Sequence, residues 1–259
     1  MKIFLNTDTF NETALSTKEK LTKLSNGIDF EIVSEISNAD MVFSIGGDGT
    51  FLKTSRLTDK PIIGINTGTL GYLTEVSPKD LKNALIDIIN GKYHIEERMM
   101  IEGRIIKSNG ETVKIPESLN EIAISKNTFG VVRFDAIVND KLINSYTADG
   151  ILVCTPTGST AYNLSCGGPI ADPTAEILTL TPIAPHTVIN RSIVLSKSST
   201  VKIKITELRQ NSPAYALYDG KPIEVYSGDI IEIKKSQKTT KIVKFDDRSF
   251  IDTIRENIN

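Results

Sequence analysis

Over the first hundred residues, short apolar runs alternate with longer segments of helical period. Lys2 to Asn6, Phe30 to Val33, Met41 to Ile45 and Ile62 to Ile65 read as strands. The last two are continuously apolar, the pattern of strands buried on both faces of a parallel sheet. Ser16-Thr17-Lys18-Glu19 has the form of a capping box, which predicts a helix opening there and closing at Gly27. Ser77-Pro78-Lys79-Asp80 predicts a second helix with Ser77 as N-cap and Pro78 at the first position. Leu81, Ala84, Leu85, Ile88 and Ile89 line one face of it before Gly91. The alternation is that of βαβ units.

After Arg98 the helical period nearly vanishes. Ile101 to Lys107, Ile122 to Ser125, Phe134 to Val138, Gly150 to Cys154, Val201 to Ile205 and Ile230 to Lys234 are strand-like. Turn signals punctuate them at Ser108-Asn109-Gly110, Asn139-Asp140, Asp219-Gly220 and Ser227-Gly228-Asp229. Helical character returns from Phe250 to Ile258, with Ser249 as cap and Ile251, Ile254 and Ile258 on one side. The expected organisation is an N-terminal Rossmann-like α/β domain over residues 1–98, a β-sandwich domain over 99–245, and a C-terminal helix over 246–259 that packs back on the first domain.

Charge narrows the range of partners. Thirty Lys and Arg against 32 Asp and Glu give a net charge of -2, so there is no basic excess to grip a nucleic-acid backbone. No apolar stretch nears the roughly 20 residues that span a bilayer, and the opening Met1-Lys2-Ile3-Phe4-Leu5-Asn6 is too short for a signal peptide. We expect neither a nucleic-acid nor a membrane partner, and a cytoplasmic location. Cys154 and Cys166 lack metal-ligand company and are expected as free thiols. His94 and His186 are read as structural or surface residues without a metal partner; His186 could also lend backbone or ring contacts near a pocket.

Candidate chemistry concentrates in three loops. Gly46-Gly47-Asp48-Gly49-Thr50 follows the apolar run Met41 to Ile45. Glycines let main-chain N–H groups approach an anion, and a carboxylate among them must hold a metal, accept a proton or grip a hydroxyl. Taken alone, the segment reads equally as a strand-ending turn. A second glycine-rich loop, Gly64-Ile65-Asn66-Thr67-Gly68-Thr69-Leu70-Gly71, also follows an apolar strand. Both would leave the carboxyl ends of strands, where open α/β sheets bind ligands. Neither has the spacing of a dinucleotide fingerprint or a P-loop. The third segment, Thr155-Pro156-Thr157-Gly158-Ser159-Thr160-Ala161-Tyr162-Asn163-Leu164-Ser165, is dense in hydroxyls that suit a ribose or diphosphate, or caps a helix after a turn. Asn120-Glu121, at the mouth of a strand, reads as a solvated strand end or as a grip for ribose hydroxyls or a base edge.

The ordered set GGDGT, GxNTGxLGYL, Asn-Glu, Asp-Gly, TPTGSTAYxLSxGGP and a late Asp-Gly resembles the bacterial NAD kinase family over nearly the whole chain. The long hydroxyl-rich motif is specific, whereas related glycine-aspartate turns occur in diacylglycerol kinases, sphingosine kinases and phosphofructokinases. The resemblance implies transfer of the γ-phosphoryl of ATP to the 2′-hydroxyl of the adenosine ribose of NAD, giving NADP. It implies Asp48 as general base, and Gly46, Gly47, Gly49 and Thr50 around a triphosphate whose charge Mg²⁺ or another divalent metal offsets. Asn120 and Glu121 would take ribose and base contacts, and Asp149 would face the nicotinamide side. Thr157, Thr160, Ala161, Tyr162, Asn163, Leu164 and Ser165 would line the dinucleotide pocket, with Asn66 a further candidate. No protein metal ligands are implied. Where some relatives carry arginine two residues before Asp149, this chain has Thr147, so no arginine role carries over. Family members form homodimers or homotetramers, and the resemblance implies that the segment from Thr181 through His186 to Ser192 would reach a neighbour. Two alternatives stand beside this: a non-catalytic NAD(P) sensor, and a lipid kinase of the diacylglycerol type, for which the hydroxyl-rich segment is too polar.

Overall fold

The computed structural model of the chain describes residues 1–257 except 26, 69–70, 128–129, 188–189, 210–211 and 246–248. Thr69 and Leu70 of the second glycine-rich loop, and Ile258 of the expected tail helix, lie outside the described residues. The chain divides into two compact units, Met1–Arg98 with Thr240–Asn259, and Met99–Thr239.

In the first unit, strands β1 (Lys2–Thr7), β2 (Glu31–Val33), β3 (Met41–Gly46) and β4 (Ile62–Asn66) form a parallel sheet in the order β2-β1-β3-β4. Every residue of β3 and β4 is buried, the polar Ser44 and Asn66 included. Helices α1 (Glu12–Leu24), α2 (Asp48–Ser55) and α3 (Leu81–Ile89) follow the strands. Ala14 and Leu21 of α1, and Leu81, Ala84, Leu85 and Ile88 of α3, pack with Ile3, Leu5, Phe43, Ile45, Ile63 and Ile65 in one core.

Two helix starts differ from the sequence reading. Helix α1 opens four residues before Ser16, because Asn11 adopts an extended conformation and its side-chain oxygen accepts the N–H of Ala14. That cap outcompetes the Ser16 box, which is absorbed into the helix. Its last helical residue is Leu24, and Gly27 donates its N–H to Leu24 O. Helix α3 begins at Leu81, and Ser77 instead caps the turn ahead of it, accepting the N–H of Lys79 and donating to Asp80 Oδ2.

The second unit is antiparallel throughout. It contains β5 (His94–Ile106), β6 (Thr112–Ser118), β7 (Glu121–Ser125), β8 (Val132–Val138), β9 (Lys141–Ala148), β10 (Gly150–Cys154), the short helix α4 (Tyr162–Ser165), β11 (Ile177–Ile183), β12 (Ile193–Ser196), β13 (Val201–Leu208), β14 (Ala214–Tyr218), β15 (Lys221–Val225) and the first part of β16 (Ile230–Lys244). A six-stranded sheet, β12-β11-β10-β7-β14-β15, packs against a layer in which β16, β13, β8 and β9 are neighbours. Ile122, Ile124, Ile151, Val153, Leu178 and Ala216 face Phe134, Ala136, Val201, Ile203, Ile231 and Ile233 across the core. Strands β7 and β10 are also covered on their far side, where Ala123, Leu152 and Cys154 meet Cys166 and Leu217.

Two turns read from sequence are hairpins with left-handed central residues, Asn139-Asp140 and Asp219-Gly220. Strands β6, β9, β11, β12, β14 and β15 are not among the runs read from sequence, and three of them, β6, β11 and β15, contain a proline. Pro222 sits on the edge strand, and Pro182 lies past the last β12 residue that pairs with β11, where a missing N–H costs nothing. The chain ends in α5 (Phe250–Asn257), within the first unit. Ser249 and Asp252 cap it reciprocally, each accepting the other's N–H. Ile251, expected on the packed side, is 68% exposed.

Replacing Asn11 with alanine removes the α1 cap, and we expect a loss of about 1 kcal/mol in urea unfolding. Ser16→Ala, by contrast, should leave the midpoint within a few tenths.

Candidate functional site

Asp48 is the first residue of α2, with only the N-cap Gly47 between it and Gly46, the last residue of β3. The glycines serve different ends. A Cβ on Gly46 would overlap the Thr50 side chain, so that glycine is needed for packing within the loop. A Cβ on Gly47 or Gly49 would meet nothing within 4 Å. The loop therefore fronts open space, next to helix N–H groups that lack partners in their own helix.

The Asp48 carboxylate is held by a distant part of the chain. Oδ2 accepts the N–H of Tyr72 at 2.9 Å, and Oδ1 accepts the N–H of Leu73 and the hydroxyl of Thr74, both at 3.2 Å. Gly71 makes this possible, since a Cβ there would overlap Asp48 Oδ1. Burial, with the Asp48 charge beside it, raises the Tyr72 phenol above its ordinary pKa. Asn66 pairs with Gly46 in the β3–β4 register, and its Oδ1 accepts the N–H of Gly68. Beside it lies a cavity of about 350 Å³ lined by Thr13, Asn66, Thr67, Gly68, Glu75, Ser77 and Pro78.

In the second unit, Asn120 and Glu121 are buried at the start of β7. The hydroxyl-rich segment forms a turn of 3-10 helix, Thr157–Thr160, followed by α4, and neither is side-chain capped. It lies against Asn120: Thr155 donates its N–H to Asn120 O, and a Cβ on Gly158 would overlap that same carbonyl. Glu121 accepts the backbone N–H of Tyr162, while its Oε2 is buried without a hydrogen-bond partner. Burial first, and the nearby Asp219 charge second, push the Glu121 carboxyl up to about 8. Cys154, opposite Glu121 in the β7–β10 register, is pushed up to about 12 by burial and by that neighbour, which makes it an inert thiol. Both cysteines are free.

The sequence candidates are not equally available to a ligand. Tyr162 and Leu164 are each 37% exposed, Ser165 is exposed, and Thr160 and Ala161 are half-buried. Thr157 is buried, and its carbonyl accepts the Thr160 hydroxyl at 3.3 Å. The Asn163 side chain is fully buried, donating to Ser159 O and Pro169 O and accepting from Thr181, so its amide works for the fold. Asp149 forms an ion pair with Lys126 at 2.7 Å. Thr147 gives its carbonyl to the N–H of His186. Sequence reasoning missed Lys126 and Thr74, and although it singled out the loop and motif that hold Gly71, Tyr72 and Leu73, it gave them no contact with Asp48. Nothing in periodicity ties Tyr72 to a carboxylate 24 residues earlier. Among the described residues no group of three or more His, Cys, Asp or Glu stands ready for a metal ion.

A parallel α/β unit that presents a glycine-flanked carboxylate at a strand end, with a hydroxyl-rich β unit after it, defines a nucleotide-handling protein of two domains. Comparison with known proteins agrees. Residues 6–93 match the family model of the ATP-NAD kinase N-terminal domain, and residues 119–245 that of the ATP-NAD kinase C-terminal domain. An NAD kinase of Caldanaerobacter subterraneus subsp. tengcongensis is 40% identical over 227 residues, covering 86% of this chain and 79% of that protein. Among solved structures, an NAD kinase from Archaeoglobus fulgidus in complex with ATP superposes with a TM-score of 0.77 at 26% identity, covering 98% of both chains. Yeast NADH kinase complexed with NADH shares the fold, at a TM-score of 0.86 and 22% identity over all of this chain and 87% of that one. The chain belongs to the NAD kinase family. Neither a lipid kinase nor a non-catalytic sensor draws support from these relatives.

The Glu121 carboxyl carries a consequence for stability. Its folded pKa lies above the ordinary 4.5, so between that value and about 8 the folded chain holds a proton that the unfolded chain has released. Stability is then highest below this window and falls as pH rises through it. We expect the melting temperature to drop from about pH 5 to about pH 8, and Glu121→Gln to flatten that slope; an equal slope in both proteins would contradict the assignment.

Proposed function

We propose that the chain phosphorylates the 2′-hydroxyl of the adenosine ribose of NAD with the γ-phosphoryl of ATP, yielding NADP and ADP, with Asp48 as the general base. The observation that carries this reading is the setting of Asp48. A carboxylate offers about four acceptor positions, and the Tyr72, Leu73 and Thr74 donors occupy three. The remaining one can accept a ribose O–H. These three contacts fix the orientation of the carboxylate before a substrate arrives, so no ordering cost falls on the reaction itself. As the ribose oxygen bonds to phosphorus and the ADP oxygen leaves, the hydroxyl proton passes to Asp48.

Gly46, Gly47, Gly49 and Thr50 cradle the triphosphate: the open front of Gly47 and Gly49 leaves room for it, and the helix N-terminus favours its charge. Asn66 borders the same loop. The donor set does not form a resident metal site among the described residues. A divalent ion such as Mg²⁺ would offset the charge of the bound triphosphate. In the second unit, Asn120 and Glu121 bind the adenosine portion of NAD, and Tyr162, exposed beside them, offers a ring face. Thr157 and the run from Thr160 to Ser165, through Ala161, Asn163 and Leu164, shape the wall with backbone and hydroxyl groups. Asp149 faces the nicotinamide side together with its Lys126 partner.

Assembly as a dimer or tetramer through the β unit and a cytoplasmic location belong to the same reading. Among the described residues no helix is long and apolar enough to cross a membrane.

Asp48→Asn keeps the shape and most of the loop contacts but cannot take the proton. NADP formation, read with an NADP-specific dehydrogenase, should fall by about 10²-fold or more, while NAD still raises the melting temperature. Turnover close to wild type would remove Asp48 from the role.

A further inference from the structure

The turn between β14 and β15 holds the strand start that carries Asn120 and Glu121. Asp219 accepts the N–H of Leu119 at 3.1 Å on Oδ2, and those of Asn120 at 2.9 Å and Glu121 at 3.3 Å on Oδ1. Its own N–H donates to Glu121 O at 3.1 Å. Four hydrogen bonds thus join one turn residue to three consecutive residues. On the other side, Thr155 grips the same segment, its N–H bonded to Asn120 O and its hydroxyl to Leu119 O.

Turn geometry alone does not explain an aspartate here. Asp219 and Gly220 both have positive φ, at 42° and 79°, a conformation that asparagine adopts as readily. The equivalent turn between β8 and β9 does begin with asparagine, Asn139 at φ 49°. An asparagine side chain brings one acceptor oxygen and an amide donor, whereas three N–H groups converge on Asp219. Only a carboxylate satisfies all of them.

We propose that Asp219 is a positioning residue for dinucleotide binding, setting the backbone of Asn120 and Glu121 from outside the pocket they form. The inference rests on the functional reading above for what the pair binds. Asp219 also acts on Glu121 through charge. The groups facing the Glu121 carboxyl are Asp219, the Cys154 and Cys166 thiols and the Tyr162 phenol. The last three are raised above their ordinary values and stay neutral near pH 7, leaving Asp219 as the charged neighbour. With its negative charge in place, Glu121 favours the protonated form, and its partnerless Oε2 can donate to an acceptor on the ligand. Removing the charge lowers the pH at which Glu121 ionises.

The test is Asp219→Asn, with Asp219→Ala as a harsher second variant and melting temperature as a check on folding. We expect the KM for NAD to rise about tenfold, the value of one mispaired buried N–H group. The KM for ATP should stay unchanged and kcat should move little. In the unliganded protein, the ¹³C-carboxyl titration of Glu121 should shift to lower pH in Asp219→Asn, a change that a purely structural role would not produce. An unchanged KM for NAD, an equal rise in both KM values, or a Glu121 midpoint that stays put would each overturn the inference. Should the wild type form no NADP, the functional reading fails on its own, and the unliganded titration still decides whether Asp219 governs Glu121.

Discussion

The Asp48 carboxylate joins two loops that the chain would otherwise leave independent. It stands at the head of α2 and accepts backbone N–H groups from Tyr72 and Leu73, 24 and 25 residues further on. Hydrogen bonds to a charged group contribute about 1.5–3 kcal/mol each, enough to hold the loop after β4 against the loop after β3. Gly71 has no Cβ because the carboxylate occupies its place. Among the described residues these contacts fill three acceptor positions of Asp48, and in our account the fourth takes the ribose hydroxyl.

The second unit repeats the principle with different groups. Backbone N–H groups at the start of β7 would be orphaned where the strand begins, and Asp219 collects them. The segment from Thr155 to Gly158 closes over the other side, so close that only glycine fits against the Asn120 carbonyl. Both units therefore tie distant segments together by pairing a carboxylate with main-chain N–H groups from elsewhere in the chain. Such pairing needs no long flexible side chains and loses little to entropy.

Much of this was legible in the chain itself, and the exceptions have physical causes. Strands β3 and β4 could be read because burial on both faces leaves a single polar side chain in each, Ser44 and Asn66. The Asp219-Gly220 and Asn139-Asp140 turns could be read because left-handed backbone restricts the residues it accepts. The start of α1 was read four residues late, because Asn11 caps the helix ahead of the Ser16 box. In β6, β11 and β15, each with an internal proline, the sequence does not reveal which neighbour is missing. Among site residues, the glycine-aspartate loop and the hydroxyl-rich segment stood out by composition. The partners that orient them, Tyr72 to Thr74 for Asp48 and Lys126 for Asp149, act through backbone N–H groups, one hydroxyl or a single ion pair, so even where a motif includes them the sequence does not say which carboxylate they meet. Asn163 drew notice by its place in a motif, yet its amide is spent within the fold.

The most direct test of the central claim is the ³¹P NMR spectrum of NAD incubated with the wild-type protein, ATP and Mg²⁺. The account predicts one new phosphomonoester resonance, assigned to the 2′-position of the adenosine ribose and growing in step with ADP. ATP and NAD left unchanged, or a phosphoryl group appearing at another hydroxyl, would contradict it.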